Sequence, residues 1–128
     1  MNNYVLLYRF DEEESVQQFE DAIVKEFPRH QVEKEGEFKY FGFAGEPEPG
    51  VVDKLNTILT SMGRGRNGYF GKTEYVALYF SREKDNDNIK RQLLIGTEEM
   101  VDEDAQRMSN DAHRDSIQNL LEFNYLKV

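Results

Sequence analysis

Apolar spacing along this chain of 128 residues switches between period two and period 3.6 in a fixed order, and that order restricts the fold more than any single motif. Tyr4 to Phe10 reads as a strand, apolar on both faces except for Arg9. Asp11-Glu-Glu-Glu14 follows, with Asp11 as N-cap and Glu14 at the third helical position, a capping-box arrangement. Val16, Phe19, Ile23 and Phe27 then share one helical face, and Pro28 stops the helix because it lacks an N–H and crowds the preceding turn. Gln31 to Lys34 and Phe38 to Ala44 read as two strands joined through Glu35-Gly36-Glu37. Pro47, Pro49 and Gly50 predict a stiff connection, and a second helix runs from Val51 to Met62 with Val52, Leu55, Leu59 and Met62 on one face. The strand Glu74 to Ser81, a polar turn over Lys84-Asp-Asn-Asp-Asn88 and a strand over Ile89 to Ile95 come next. From Glu98 the pattern is helical, with a break near Ser109-Asn-Asp111, because the seam Val101, Ala105, Met108 does not continue in phase into Ile117, Leu120, Leu121.

The order β-α-β-β-α-β, followed by a strand and a helical segment, predicts one α+β domain over residues 1–128 with a ferredoxin-like core. Right-handed crossovers then put the turn at Asp11 to Glu14, the hairpin turn at Gly36 and the glycine loop after Met62 at one end of the sheet. The Asp85–Asn88 turn belongs at the other end. By parity, Tyr4, Leu6 and Tyr8 share one face of the first strand, and Val5 and Leu7 share the other. The strand after the loop divides into Tyr75, Ala77, Tyr79 and Val76, Leu78, Phe80. The aliphatic set is the expected bed for the two helices. The tyrosine-bearing set needs a cover, from the C-terminal helix, a second subunit in a homodimer, or a bound base or peptide.

Charge is distributed unevenly over this acidic chain, whose formal net charge is −9. Residues 1–50 hold 5 Lys+Arg against 12 Asp+Glu, whereas residues 51–80 hold 4 against 2. Such a balance argues against broad binding to duplex DNA, where phosphate neutralisation dominates affinity. The chain has no cysteine, which excludes disulfides, thiolate metal sites and cysteine nucleophiles, and fits a reducing cytoplasm. Met1-Asn-Asn-Tyr lacks the basic and apolar regions of a signal peptide, and no apolar run reaches membrane-spanning length.

The one basic stretch is Gly63-Arg-Gly-Arg-Asn-Gly-Tyr-Phe-Gly-Lys72, which holds four of the nine glycines and three cations. Gly63-x-Gly65-x-x-Gly68 matches the dinucleotide fingerprint as a string, but the fingerprint needs a strand before it and a helix after it, the reverse of the order here. Asp85-Asn-Asp87-Asn88 opens like a calcium loop, yet Lys90 and Gly96 stand where glycine and glutamate are required. His30 and His113 are the only histidines; His30 reads as exposed, and His113 as a half-buried residue bordering an apolar face. No grouping of nucleophile, base and orienting residue can be assembled from the pattern.

Lys39-Tyr-Phe41-Gly-Phe43-Ala44 resembles the RNP1 segment of RNA-recognition-motif domains, whose aromatics at the third and fifth places stack on bases. Tyr4 stands where that family's other aromatic sits, and the resemblance spans residues 3 to about 82. It implies single-stranded RNA binding through exposed Tyr4, Phe41 and Phe43. Tyr40 replaces the family's glycine, and Glu46 occupies the final aromatic place. Asp11, at the end of strand one, is similar in placement to the aspartate of small ferredoxin-like metal-dependent nucleases related to Cas2.

The expectation that draws on most of the pattern is a non-enzymatic cytoplasmic regulator or adaptor without a cofactor. It would bind a protein partner or a small phosphorylated ligand through Arg64, Arg66, Asn67, Tyr69, Phe70 and Lys72. Backbone N–H groups freed by glycine and the three cations suit an anion, whereas Tyr69 and Phe70 suit a protein interface. The third possibility is a plain connection whose arginines are neutralised by Asp11–Glu14 or by Glu35 and Glu37.

Overall fold

The computed structural model describes residues 1–65, 70–81, 88–108 and 110–127. Within them the chain runs β1 (Asn2–Arg9), α1 (Glu13–Glu26), β2 (His30–Glu35), β3 (Phe38–Gly45), α2 (Glu48–Ser61), β4 (Tyr75–Ser81), β5 (Ile89–Ile95), α3 (Glu98–Arg107) and α4 (Asn110–Glu122), closing on a 3-10 turn at Tyr125–Lys127. All five strands join one antiparallel sheet in the order β2-β3-β1-β4-β5. The molecule is a mixed α+β structure with four α-helices among its described residues. None of these helices is long and apolar enough to cross a membrane.

Period-two patterning gives the sheet two apolar faces, each with its own helical layer. One face carries Tyr4, Leu6, Phe41, Phe43, Leu78 and Phe80 against Phe19 and Ile23 of α1 and Val51, Leu55 and Leu59 of α2. The other carries Val5, Leu7, Tyr40, Tyr75, Ala77 and Tyr79 against Val101 of α3 and Ile117, Leu120 and Leu121 of α4. Burying each large aliphatic or aromatic side chain is worth about 1.5–3 kcal/mol, so both layers are substantial. The C-terminal helices therefore cover the tyrosines of β4, with α4 lying across β1, β2 and β3.

Parity divided each strand correctly, but the tyrosine-bearing sets of β1 and β4 do not share a face. The β1–β4 register sets Leu6 opposite Leu78 and Val5 opposite Tyr79. Directly opposed residues of antiparallel strands share a face, so Tyr4 lies with the aliphatic residues of β4 and Val5 lies with its tyrosines. Single-strand parity cannot give the relative register that decides this.

Two local expectations also change. Glu12, not Asp11, occupies the N-cap of α1, and its side chain makes no capping bond; the Asp11 side chain is instead bonded to Thr73. Pro49 and Gly50 belong to the first turn of α2 rather than to a connection. Proline is tolerated there because first-turn N–H groups lack intrahelical partners in any case. The end of α4 is tied to β1, where Asn3 Nδ2 donates to the carbonyls of Leu121 at 2.6 Å and Phe123 at 3.1 Å. Tyr125 Oη donates to the Leu120 carbonyl at 2.6 Å, satisfying another orphan acceptor of that terminus.

Candidate functional site

The basic loop begins as a helix stop. Gly63 adopts φ +77°, its N–H bonds the Thr60 carbonyl at 3.0 Å, and Arg64 N–H bonds the Leu59 carbonyl at 2.9 Å. This is a Schellman arrangement, in which glycine takes the left-handed conformation that other residues resist. Gly63 is thus accounted for by α2 alone.

Arg64 turns back into the protein. Its Nε donates to Glu74 Oε1 at 3.2 Å and one terminal nitrogen to Glu74 Oε2 at 3.1 Å. The same guanidinium reaches the Met62 carbonyl at 2.8 Å and Ser15 Oγ at 3.2 Å, and it lies 5.8 Å from the Phe10 ring centroid. The two side chains are 16% and 1% exposed. Glu74 also accepts from the N–H of Gly71 at 2.8 Å and of Asp11 at 3.1 Å. Burial pushes the Glu74 carboxyl up, but the Arg64 bonds and the two backbone N–H groups outweigh it and hold the group below the ordinary glutamate range.

One buried carboxylate therefore fixes both ends of the loop and joins them to the segment after β1. Gly71 is tightly enclosed: a Cβ there would meet Asp11 Cγ at 2.9 Å and Glu74 Cγ at 3.1 Å. Phe70 is half-buried against the core on the α1–α2 side. Lys72 is exposed and has no ion-pair partner among the described residues. Arg66, Asn67 and Tyr69 lie outside the described residues, as does the Asp85–Asn88 turn apart from Asn88. Neutralisation of Arg64 comes from Glu74, not from Asp11–Glu14 or Glu35 and Glu37.

The aromatic residues behind the RNA-recognition resemblance are not available to bases. Tyr4, Phe41 and Phe43 are each 1% exposed or less and lie beneath α1 and α2. Tyr4 stacks on Phe43 with centroids 5.3 Å apart and donates its hydroxyl to the Glu46 carbonyl at 2.7 Å. The stacking platform that the resemblance implies would have to face solvent, so these residues are core. Asp11 meets Thr73 and, through its N–H, Glu74. Among the described residues no group of three or more His, Asp or Glu is placed to hold a metal ion.

The histidines occupy different settings. His30 is half-buried rather than exposed: its ring stacks on Phe41 at 5.0 Å and its Nδ1 lies 2.8 Å from the Phe27 carbonyl oxygen. His113, on α4, places Nδ1 2.7 Å from Tyr40 Oη and meets the Tyr79 ring edge-on at 5.9 Å. Burial and the nearby Arg91 charge lower its pKa below that of a free histidine.

A second charged group escaped the sequence reading. Asp104, buried on the sheet side of α3, accepts from Arg9 at 3.0 Å and from Tyr75 Oη at 2.7 Å. Arg107 approaches the same carboxylate at 3.5 Å and bonds Glu37 of the β2–β3 hairpin at 2.6 Å. Two signals pointed here: Arg9 is the lone charge in an apolar strand, and Asp104 falls three residues after Val101 and four before Met108, on the buried seam. Phe10 and Glu37 line one cleft, and Phe10 also meets Arg64. The β1 end, the β2–β3 hairpin and the loop root thus lie together.

In comparisons with protein-family models, with curated proteins and with solved structures, no match was found.

Proposed function

We propose that this chain is a small acidic regulator or adaptor that acts by binding through the loop at residues 63–72. The supporting observation is the Glu74 clamp. A carboxylate buried at 1% exposure carries a desolvation cost that a simple connection between α2 and β4 would not require. Here that cost fixes both ends of the loop against the body. Fixing the root lowers the entropy that a partner must remove when it engages the remainder. In this reading Arg66, Asn67, Tyr69, Phe70 and Lys72 are the contact residues, and Arg64 holds the root. A protein partner or a small phosphorylated ligand is the expected occupant. The ferredoxin-like reading of the core belongs to the same proposal. It is supported by β1 pairing with both β3 and β4 and by α1 and α2 packing on one face. β5, α3 and α4 are then additions.

The test is an Arg66→Ala, Tyr69→Ala, Lys72→Ala variant of the full chain, isolated from its own cells beside the wild type and compared by native mass spectrometry. Loss of the co-purifying species, with a stability change of about 1 kcal/mol or less per residue, is the expected result. A variant that retains the bound species makes the loop a connection only. Steep salt dependence of the wild-type complex would identify a phosphorylated ligand, and shallow dependence a protein held by its aromatics.

A further inference from the structure

A cleft of about 440 Å3 opens where β1, the β2–β3 hairpin, the start of α1 and the end of α3 meet. Phe10, Phe38, Tyr8 and Val16 form its apolar walls, with charged groups around them. That size and mixture of apolar wall and convergent charge is the usual form of a small-molecule site. We propose that the cleft binds a small monocarboxylate with a flat apolar body, its carboxylate received by Arg9 and Arg107.

Three observations lead to that class. The first is the support beneath the two arginines. Asp104, whose side chain is 2% exposed, takes one terminal nitrogen from each at 3.0 and 3.5 Å, and Tyr75 Oη at 2.7 Å holds its other oxygen. One carboxylate cannot neutralise two guanidiniums, and anchoring each by one nitrogen leaves the rest of each fork for an incoming acceptor. Arg9 Nε and its second terminal nitrogen have no partner among the described residues.

The second is that a carboxylate already sits on Arg107 from the solvent side. Glu37 Oε1 lies 2.6 Å from its terminal nitrogen. Both side chains are more than half exposed, at 56% for Arg107 and 62% for Glu37. An exposed pair of this kind is held weakly, so Glu37 stands in for a ligand carboxylate and can be displaced by one that reaches both arginines. The Phe38 ring, 5.8 Å from the Arg107 guanidinium carbon, braces it from below.

The third is charge balance. Lys39 is already paired with Glu20 at 3.1 Å and Glu13 is exposed, so the charges that converge in the cleft are Arg9 and Arg107 against Asp104 and Glu37. With Glu37 displaced, one positive charge is left uncompensated. A monoanion matches it, whereas a phosphate dianion would face Asp104 with one charge too many. The site is independent of the loop proposal, because none of its residues belongs to positions 63–72.

Benzoate is the probe. Arginine side-chain NMR and calorimetry on the full chain should register benzoate binding at Arg9 and Arg107, with benzamide at the same concentration giving no response. Arg107→Gln should weaken benzoate at least about tenfold, the value of one charge-assisted bond. Glu37→Gln should tighten it several-fold by removing the internal competitor. Neither substitution touches the core, and circular dichroism of each variant checks that the fold is kept. Failure of benzoate to bind both the wild type and Glu37→Gln overturns the proposal. So does a benzoate affinity unchanged in Arg107→Gln, or inorganic phosphate binding the site more tightly than benzoate.

Discussion

Arg64 and Glu74 form a two-point ion pair, Nε to Oε1 at 3.2 Å and a terminal nitrogen to Oε2 at 3.1 Å, closing the basic loop at its root. Removing one partner strands the other. Arg64→Ala leaves a buried carboxylate without its counter-charge and should cost about 3 kcal/mol at neutral pH, measured by denaturant unfolding. In the wild type the folded carboxyl is depressed, so its stabilisation is present above the ordinary glutamate pKa and is lost as pH falls through the folded value. In the variant uncompensated burial raises that pKa, so the deficit should shrink as the solution is acidified. A deficit independent of pH would mean that the pair contributes packing alone.

Hydrogen exchange reads the same clamp differently. Four glycines in one short segment favour fast exchange. The Gly71 N–H is buried against Glu74, and the Arg64 N–H is bonded to Leu59. Both amides should be protected in the wild type. In Glu74→Ala the Gly71 amide should lose protection and the Arg64 amide should keep it, because the Arg64 bond belongs to the α2 cap. Fast exchange at Gly71 in the wild type would contradict the clamp.

Gly42 lies under α4, where an added Cβ would clash with Tyr125 Oη and lie 2.9 Å from Leu120 Cβ. Gly42→Ala should therefore destabilise by about 1–3 kcal/mol, the range for overpacking. Tyr125→Phe in the same chain removes the nearest obstruction. The double variant should lose less than the two single losses combined, and strict additivity would show that the two sites do not meet.

Below neutral pH, His113 should become a liability. Its folded pKa is depressed by burial and by Arg91, so between that value and about 6.5 the unfolded chain binds more protons. The contribution of His113 is thus complete above pH 6.5 and falls as the solution is acidified. His113→Gln should reduce the slope of stability against pH between 5 and 7. An identical slope would assign the dependence to other groups.

Phe43→Ala separates a core role from base stacking. Phe43 is fully buried and packs on Phe27 with centroids 4.0 Å apart, so truncation should cost about 3–5 kcal/mol. A soluble, fully stable variant would return Phe43 to the surface.

Local pattern determined the element order of this protein. Pro28 ended α1, β5 fell on Ile89–Ile95 as expected, and the phase break between Met108 and Ile117 marked the join of α3 and α4. These features depend on neighbours within a few residues, and adjacent side chains state them. Tertiary structure decided what those elements meet. The β1–β3 and β1–β4 registers put Tyr4, Phe41 and Phe43 under helices, reversing the role implied by their resemblance to RNA-binding aromatics. The partner of Arg64 was also set in three dimensions. Glu74, at the first position of the expected strand, turns inward because Arg64 and the N–H groups of Gly71 and Asp11 converge there. Arg9 and Asp104, separated by 95 positions, became one ion pair only when α3 folded back over the sheet. Charge pairing at such separation depends on the path of the chain through space, which residue spacing does not encode.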